Sequence, residues 1–92
     1  MKIDIHAKNI EISDKLNDMI KKKVSKLSIL YNQIIDTAVY LHEEGHNMKE
    51  VQLKVNIKSQ TLVCKERHET FESALDMSVD AMKKQILKCK EK

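Results

Sequence analysis

The stretch Lys49-Glu50-Val51-Gln52-Leu53-Lys54-Val55-Asn56-Ile57-Lys58 alternates without a break. Val51, Leu53, Val55 and Ile57 point one way, and Glu50, Gln52, Lys54, Asn56 and Lys58 point the other. A period of two over this length predicts a strand with one buried face and one wet face. Such a strand needs a partner on at least one side, and the flanking sequence supplies two.

Upstream, Glu44-Gly45-His46-Asn47 reads as a turn, with the single glycine of the chain available for positive φ. Before it, residues 33–43 are rich in β-branched and aromatic side chains, and Thr37, Val39 and Leu41 alternate with Asp36, Ala38, Tyr40 and His42. Downstream, Ser59-Gln60 is a tight link without glycine. Thr61 to Arg67 then forms another strand, whose inward set is either Leu62 and Cys64 or Val63. These joins predict two hairpins.

The outer parts of the chain supply the remaining elements. Residues 2–8 place Ile3, Ile5 and Ala7 on one face, against Lys2, Asp4, His6 and Lys8, which predicts a half-buried strand. Asn9 to Ile12 is a connector. Ser13 is suited to cap a helix from about Asp14 to Leu30, because its hydroxyl can accept from a first-turn amide. On that helix Leu16, Ile20, Val24, Leu27 and Tyr31 form one narrow apolar stripe at roughly 100° per residue. Thr70 is the expected cap of a second helix, about 71–90, with Phe71, Leu75, Val79, Met82, Ile86 and Cys89 as its stripe. The order is β-α-β-β-β-α. Strands one and two flank a helical crossover and should be parallel neighbours. The expected architecture is an α+β single domain over 1–92, a four-stranded sheet with both helices on one face.

The composition excludes several function classes. Ninety-two residues, 41% apolar and 34% charged, suit one modest core. One Gly and no Pro leave no flexible linker and no Gly-rich phosphate loop. No apolar run is long enough to span a bilayer, and Met1-Lys2-Ile3-Asp4 alternates like a strand rather than a signal segment, so a cytoplasmic protein is expected. Cys64 and Cys89 are too few for a disulfide scaffold and read as reduced, buried apolar side chains. His42 and His46 have a spacing seen in metal ligands, but no nearby Cys pair completes a tetrahedron, and no metal or cofactor is expected. No Ser/His/Asp set or acid pair supports catalysis, so no enzyme is expected.

What remains is charge. The formal net charge is +3, and all but Arg67 of the basic residues are lysines. Lysine acts as a point charge that suits phosphate without fixing a geometry. On the first helix Lys15, Lys22, Lys23 and Lys26 lie along one flank of the stripe, with Asp14 and Asp18 expected on the opposite flank. That segregation points to an anion-binding face, against the alternative of a solvated charged surface. Lys21 projects toward the acidic side. Lys83, Lys84, Lys88, Lys90 and Lys92 cluster near the end of the second helix, as the helix dipole favours in any helix. Lys2, Lys8, Lys54, Lys58, Lys65 and Arg67 would lie on the open sheet face, interrupted by Asp4, Glu50 and Glu66, as exposed sheets usually are. Phe71, Tyr31 and Tyr40 are the only Phe, Tyr or Trp residues, too few for a base-stacking platform. Electrostatic recognition of phosphate, with shape setting specificity, is the reading these residues support.

Several stretches together resemble the ribosome hibernation promoting factor family, also called ribosome-associated inhibitors. They are Ile5-His6-Ala7-Lys8-Asn9-Ile10-Glu11-Ile12-Ser13, Lys23-Val24-Ser25-Lys26-Leu27, Ala38-Val39, Val51-Gln52-Leu53-Lys54-Val55, Ala74-Leu75-Asp76 and Asp80-Ala81-Met82-Lys83-Lys84-Gln85-Ile86. Their order and spacing, end to end, carry the resemblance. It implies a fold related to double-stranded RNA-binding domains. It implies binding to small-subunit rRNA near the decoding centre, where mRNA and tRNA sit, blocking translation and preserving idle ribosomes. It also implies rRNA contacts from Lys23 and Lys26 on the first helix and from Lys84, Lys88 and Lys90 on the second, with Lys22 and Lys8 as looser positional matches. Gln85 matches a polar family position without an assigned role.

The chain also departs from the family pattern. Lys84 stands where many members carry Arg, so a bidentate phosphate contact is not expected there. Leu30-Tyr31 keeps one residue of an aromatic pair. The chain ends at Lys92 without the C-terminal domain by which long members pair ribosomes, so self-sufficient ribosome dimerisation is not expected. Whether a separate ribosome-dimerising factor does the pairing is left open by these residues. Two readings from other classes stand beside this one: a protein–protein adaptor using the open sheet face or edge, and a small metal-dependent enzyme around His42 and His46.

Overall fold

The computed structural model describes residues 2–8, 10–45 and 47–90, apart from the side chains of Glu44 and Lys90. The elements run β1 (Lys2–Lys8), α1 (Asp14–Leu30), β2 (Ile34–Glu44), β3 (Met48–Ile57), β4 (Thr61–His68) and α2 (Phe71–Lys90). The sheet order is β1-β2-β3-β4. β1 and β2 are parallel, and the two hairpin pairs are antiparallel. The expected β-α-β-β-β-α architecture is therefore observed.

The strand ends shift by about one residue from expectation. The β2–β3 ladder continues to Glu43↔Lys49 and Glu44↔Met48, so β3 begins at Met48. Gly45, at φ 65°, then supplies the left-handed residue of the turn. At the β3–β4 turn the Ile57 amide donates to the Gln60 carbonyl at 2.9 Å.

The register stacks the core in cross-strand rows. Ile5, Val39, Leu53 and Cys64 form one row, and Ile3, Thr37, Val55 and Leu62 form the next. This decides the inward set of β4: Leu62 and Cys64 are buried, and Val63 is exposed. A third row joins Ala7, Leu41, Val51 and Glu66. Ala7 shares the core face but is exposed, and Ile3 and Ile5 are only half-buried, because β1 is an edge strand at the margin of the core.

Both helices bury the centres of the expected stripes, while Leu16, Tyr31, Phe71 and Cys89 at the stripe ends are half-buried. Ile20, Val24 and Leu27 of α1 and Leu75, Met82 and Ile86 of α2 are essentially inaccessible to solvent. Each such side chain contributes roughly 1.5–3 kcal/mol on leaving water. α2 packs over β3 and β4 and against α1, and α1 also meets β1. Ser13 accepts from the Leu16 amide at 3.1 Å, and Thr70 accepts from the Ser73 amide at 3.1 Å. Both are cap bonds that satisfy otherwise orphaned donors. The buried Ser78 hydroxyl lies 2.9 Å from the Ala74 carbonyl and 3.3 Å from the Val51 carbonyl, tying α2 to β3.

The opposite face of the sheet is polar and largely satisfied within itself. Arg67 donates to Glu50 at 3.0 Å. Asn56 donates to Asp36 at 2.5 Å and accepts from Thr61 at 2.7 Å. The parallel register also stacks His6 on Tyr40, with ring centroids 5.0 Å apart.

Candidate nucleic-acid interface

The lysine flank of α1 does not face open solvent alone. Packing turns it toward the first half of α2, and a shallow cleft runs between the two helices. One hollow of about 330 Å³ is lined by Lys23, Lys26, Asp76, Val79, Asp80 and Lys83. A second, about 540 Å³, is lined by Lys15, Asp18, Met19, Lys22, Lys23, Lys26 and Glu72. Lys23 and Lys26 belong to both, so the hollows form one groove.

Lys23 bridges this groove. Its Nζ donates to Asp76 Oδ1 at 2.6 Å, joining residues 53 positions apart. The bond to Asp76 holds the Lys23 ammonium above its usual pKa, opposed by desolvation and aided by the charges of Asp76 and Glu72. The Lys23 side chain is 24% exposed and that of Asp76 is 54% exposed. A pair this open to water is worth about 0–1 kcal/mol.

Lys15, Lys22 and Lys26 are exposed along the α1 rim, and none makes an ion pair with another described residue. They form a line of cations with no fixed partner, which can meet successive phosphates of a nucleic-acid backbone.

The structure corrects the expected charge separation on α1. Asp18 lines the same hollow as Lys15 and Lys22 instead of lying on the opposite flank. It stands three residues from Lys15 and four from Lys22, the spacings that bring helix side chains together. Asp14 is exposed in the first turn and lines neither hollow.

The proposed contact residues do not form one cluster. Lys22, Lys23 and Lys26 come together. Lys84 and Lys88 are exposed on α2 but line neither hollow; Lys84 projects roughly 100° around the helix from Lys83. The Lys90 side chain lies outside the described residues, as do His46 and Lys92. Lys8 pairs with His42 in register on the open sheet face, away from both helices. Lys83 belongs to the groove, although the sequence placed it only in the α2 lysine cluster and not among the rRNA contacts. The available signal was its spacing seven residues after Asp76, which places both on one side of α2. Gln85 donates to the Val63 carbonyl at 3.0 Å, so it fastens α2 to the edge strand.

Little chemistry other than charge is available. Cys64 is buried and donates to the Ser78 carbonyl at 3.1 Å. Burial, with help from the charge of Glu66, pushes its thiol from 9.0 up to about 11, away from nucleophilic reactivity. Among the described residues, no group of three His, Cys, Asp or Glu side chains stands close enough to hold a metal ion, and no helix is long and apolar enough to cross a membrane.

A mixed sheet in the order β1-β2-β3-β4, two helices on one face and a lysine-lined cleft between them define an α+β domain of β-α-β-β-β-α topology with a cationic inter-helix groove. The chain belongs to the family described as "Sigma 54 modulation protein / S30EA ribosomal protein", whose profile matches residues 3–92. It is 25% identical over 92 residues to a ribosome hibernation promoting factor of Azotobacter vinelandii, spanning all of this chain and 85% of that one. It is 28% identical over 94 residues to a ribosome hibernation promotion factor of Bacillus subtilis, spanning all of this chain and 50% of that protein. Among solved structures, a ribosomal subunit interface protein from Coxiella burnetii superposes with a TM-score of 0.92 at 20% identity, each chain covered in full. The N-terminal domain of Protein Y from Thermus thermophilus superposes with a TM-score of 0.85 at 23% identity, over 94% of this chain and 96% of that one. These superpositions establish the shared fold.

Proposed function

We propose that this protein is a non-enzymatic translation inhibitor that binds small-subunit rRNA near the decoding centre and promotes ribosome hibernation in the cytoplasm. The observation that carries this reading is the inter-helix groove, with Lys15, Lys22 and Lys26 along one rim and without an ion pair among the described residues, in a member of this family. Backbone phosphates sit against the α1 rim. Lys84, Lys88 and Lys90 extend the contact along α2, and Lys8 reaches RNA from the other face of the sheet. Recognition is by charge and shape, because lysines do not read base edges bidentately. Hibernation factors similar to this chain support the ribosome as the partner.

The test is sedimentation with purified small subunits over a salt series, with mRNA and tRNA as competitors. The expected result is stoichiometric binding at low salt, a steep loss with rising salt, and displacement by the competitors. Binding that mRNA and tRNA do not displace would remove the decoding centre from the reading. Salt-tolerant binding to a protein without enrichment on ribosomes would favour an adaptor instead.

A further inference from the structure

We infer that Asp76 is a built-in competitor for the phosphate site at Lys23: RNA gains Lys23 only by displacing the Asp76 carboxylate. The inference rests on the groove being the RNA-binding surface, and it makes Asp76 a determinant of that surface's selectivity.

The two partners of the bridge are held very differently. Lys23 lines both hollows, with Met19 beside it in one and Val79 in the other, and its side chain is 24% exposed. Its stem is confined between the helices and its ammonium stays in the groove. Asp76 is short and 54% exposed, so its carboxylate can turn into solvent without disturbing the core. The acid is therefore the partner that leaves. An ammonium imposes no geometry on its acceptor, so a phosphate oxygen can take the place of a carboxylate oxygen at Lys23.

The surroundings determine how a phosphate arrives. Lys22 and Lys26 share the hollow with Lys23 and have no competing ion pair among the described residues. Glu72 and Asp80 line the α2 side of the groove and repel an anion from there. On the α1 side Asp18 is outnumbered by Lys15, Lys22 and Lys26, so phosphate approaches along the α1 rim and reaches Lys23 last. A backbone already held by Lys22 and Lys26 has the local concentration to displace Asp76. An isolated anion does not.

The experiment measures binding of wild type, Asp76→Asn, Asp80→Asn, Lys23→Gln and the Lys23→Gln/Asp76→Asn double variant. The probes are purified small subunits and, separately, an RNA duplex of about 16 bp, the span such domains cover. Asp76→Asn should bind both probes more tightly, by up to about 5-fold, the strength of an exposed pair expressed as a ratio. Asp80→Asn removes the same charge from the same hollow but breaks no ion pair with a described residue, and should gain less. In the Lys23→Gln background the Asp76→Asn gain should vanish. Asp76→Ala provides a second removal of the carboxylate, with helix propensity preserved, and urea melts verify that each variant is folded.

Weaker or unchanged binding by both Asp76 variants would overturn the inference, since a merely positioning bridge predicts a loss. An equal gain in Asp80→Asn, or a gain that survives Lys23→Gln, would also overturn it. No binding of wild type or Asp76→Asn to either probe would do the same. If the duplex shows the expected pattern while small subunits are not bound, the inference stands and the ribosomal reading falls.

Discussion

Replacing Lys22 and Lys26 together by Gln tests whether the α1 rim meets phosphate. Both residues are exposed, both line the groove, and neither is held by an ion pair with a described residue. Their loss should leave the fold within about 0.5 kcal/mol of wild type. Gln is also a good helix former, so α1 itself should persist. The effect should therefore appear in binding alone. Each phosphate contact contributes about 0.7 to 0.9 to the slope of log affinity against log salt, the lower figure for single strands. Two lost contacts reduce the slope by about 1.4 to 1.8, so the affinity gap between wild type and variant should narrow about 7- to 12-fold between 50 and 200 mM salt. The assay is sedimentation or fluorescence anisotropy with small subunits at four or more salt concentrations. A charge-matched control replaces Lys21, off the groove, and Lys54, on the open sheet face, by Gln. An unchanged slope for Lys22→Gln/Lys26→Gln, or the same decrease in the control, would refute the assignment of the rim. Lys23 is the poorer choice for this test because its charge is already engaged by Asp76.

Three further predictions concern the scaffold. Leu53 is fully buried between Val39 and Cys64 in the centre of the sheet, so Leu53→Ala should cost about 2–5 kcal/mol in urea unfolding; a loss under about 1 kcal/mol would contradict the packing described. Gly45 has φ 65° and open space around its Cα, so Gly45→Ala meets only a backbone penalty of about 1–2 kcal/mol, and an unchanged midpoint would contradict the turn. For Cys64, the unfolded thiol releases its proton near pH 9.0, whereas the buried one holds it to about 11. Stability is therefore full below that window and falls as pH rises through it, because the unfolded chain then binds fewer protons. Cys64→Ala should flatten this fall relative to wild type, and identical pH profiles would show that the thiol does not contribute.

The order and type of every element were legible in the sequence because their signals are local. The period of two in Val51-Gln52-Leu53-Lys54-Val55 and the helical spacing of Ile20, Val24 and Leu27 each state which side must be buried, whatever lies opposite. Ser13 and Thr70 marked the helix starts for the same reason: a cap bond spans only three residues. Where the local pattern was even-handed, as at Leu62, Val63 and Cys64, only cross-strand register with Leu53 and Val55 chose the inward face.

The groove depended on tertiary structure throughout. A lysine flank on α1 follows from the helical period, but what it faces depends on how α1 and α2 rotate and pack on the sheet. That packing placed Asp76 against Lys23 across 53 residues, added Lys83, and left Lys84 and Lys88 outside the hollows. It also set Lys8 on the far side of the sheet. The sequence by itself determined a β-α-β-β-β-α domain with a cationic helix. Tertiary packing alone decided which of those cations is held in an ion pair, because a pair between two helices requires a distance that no local period encodes.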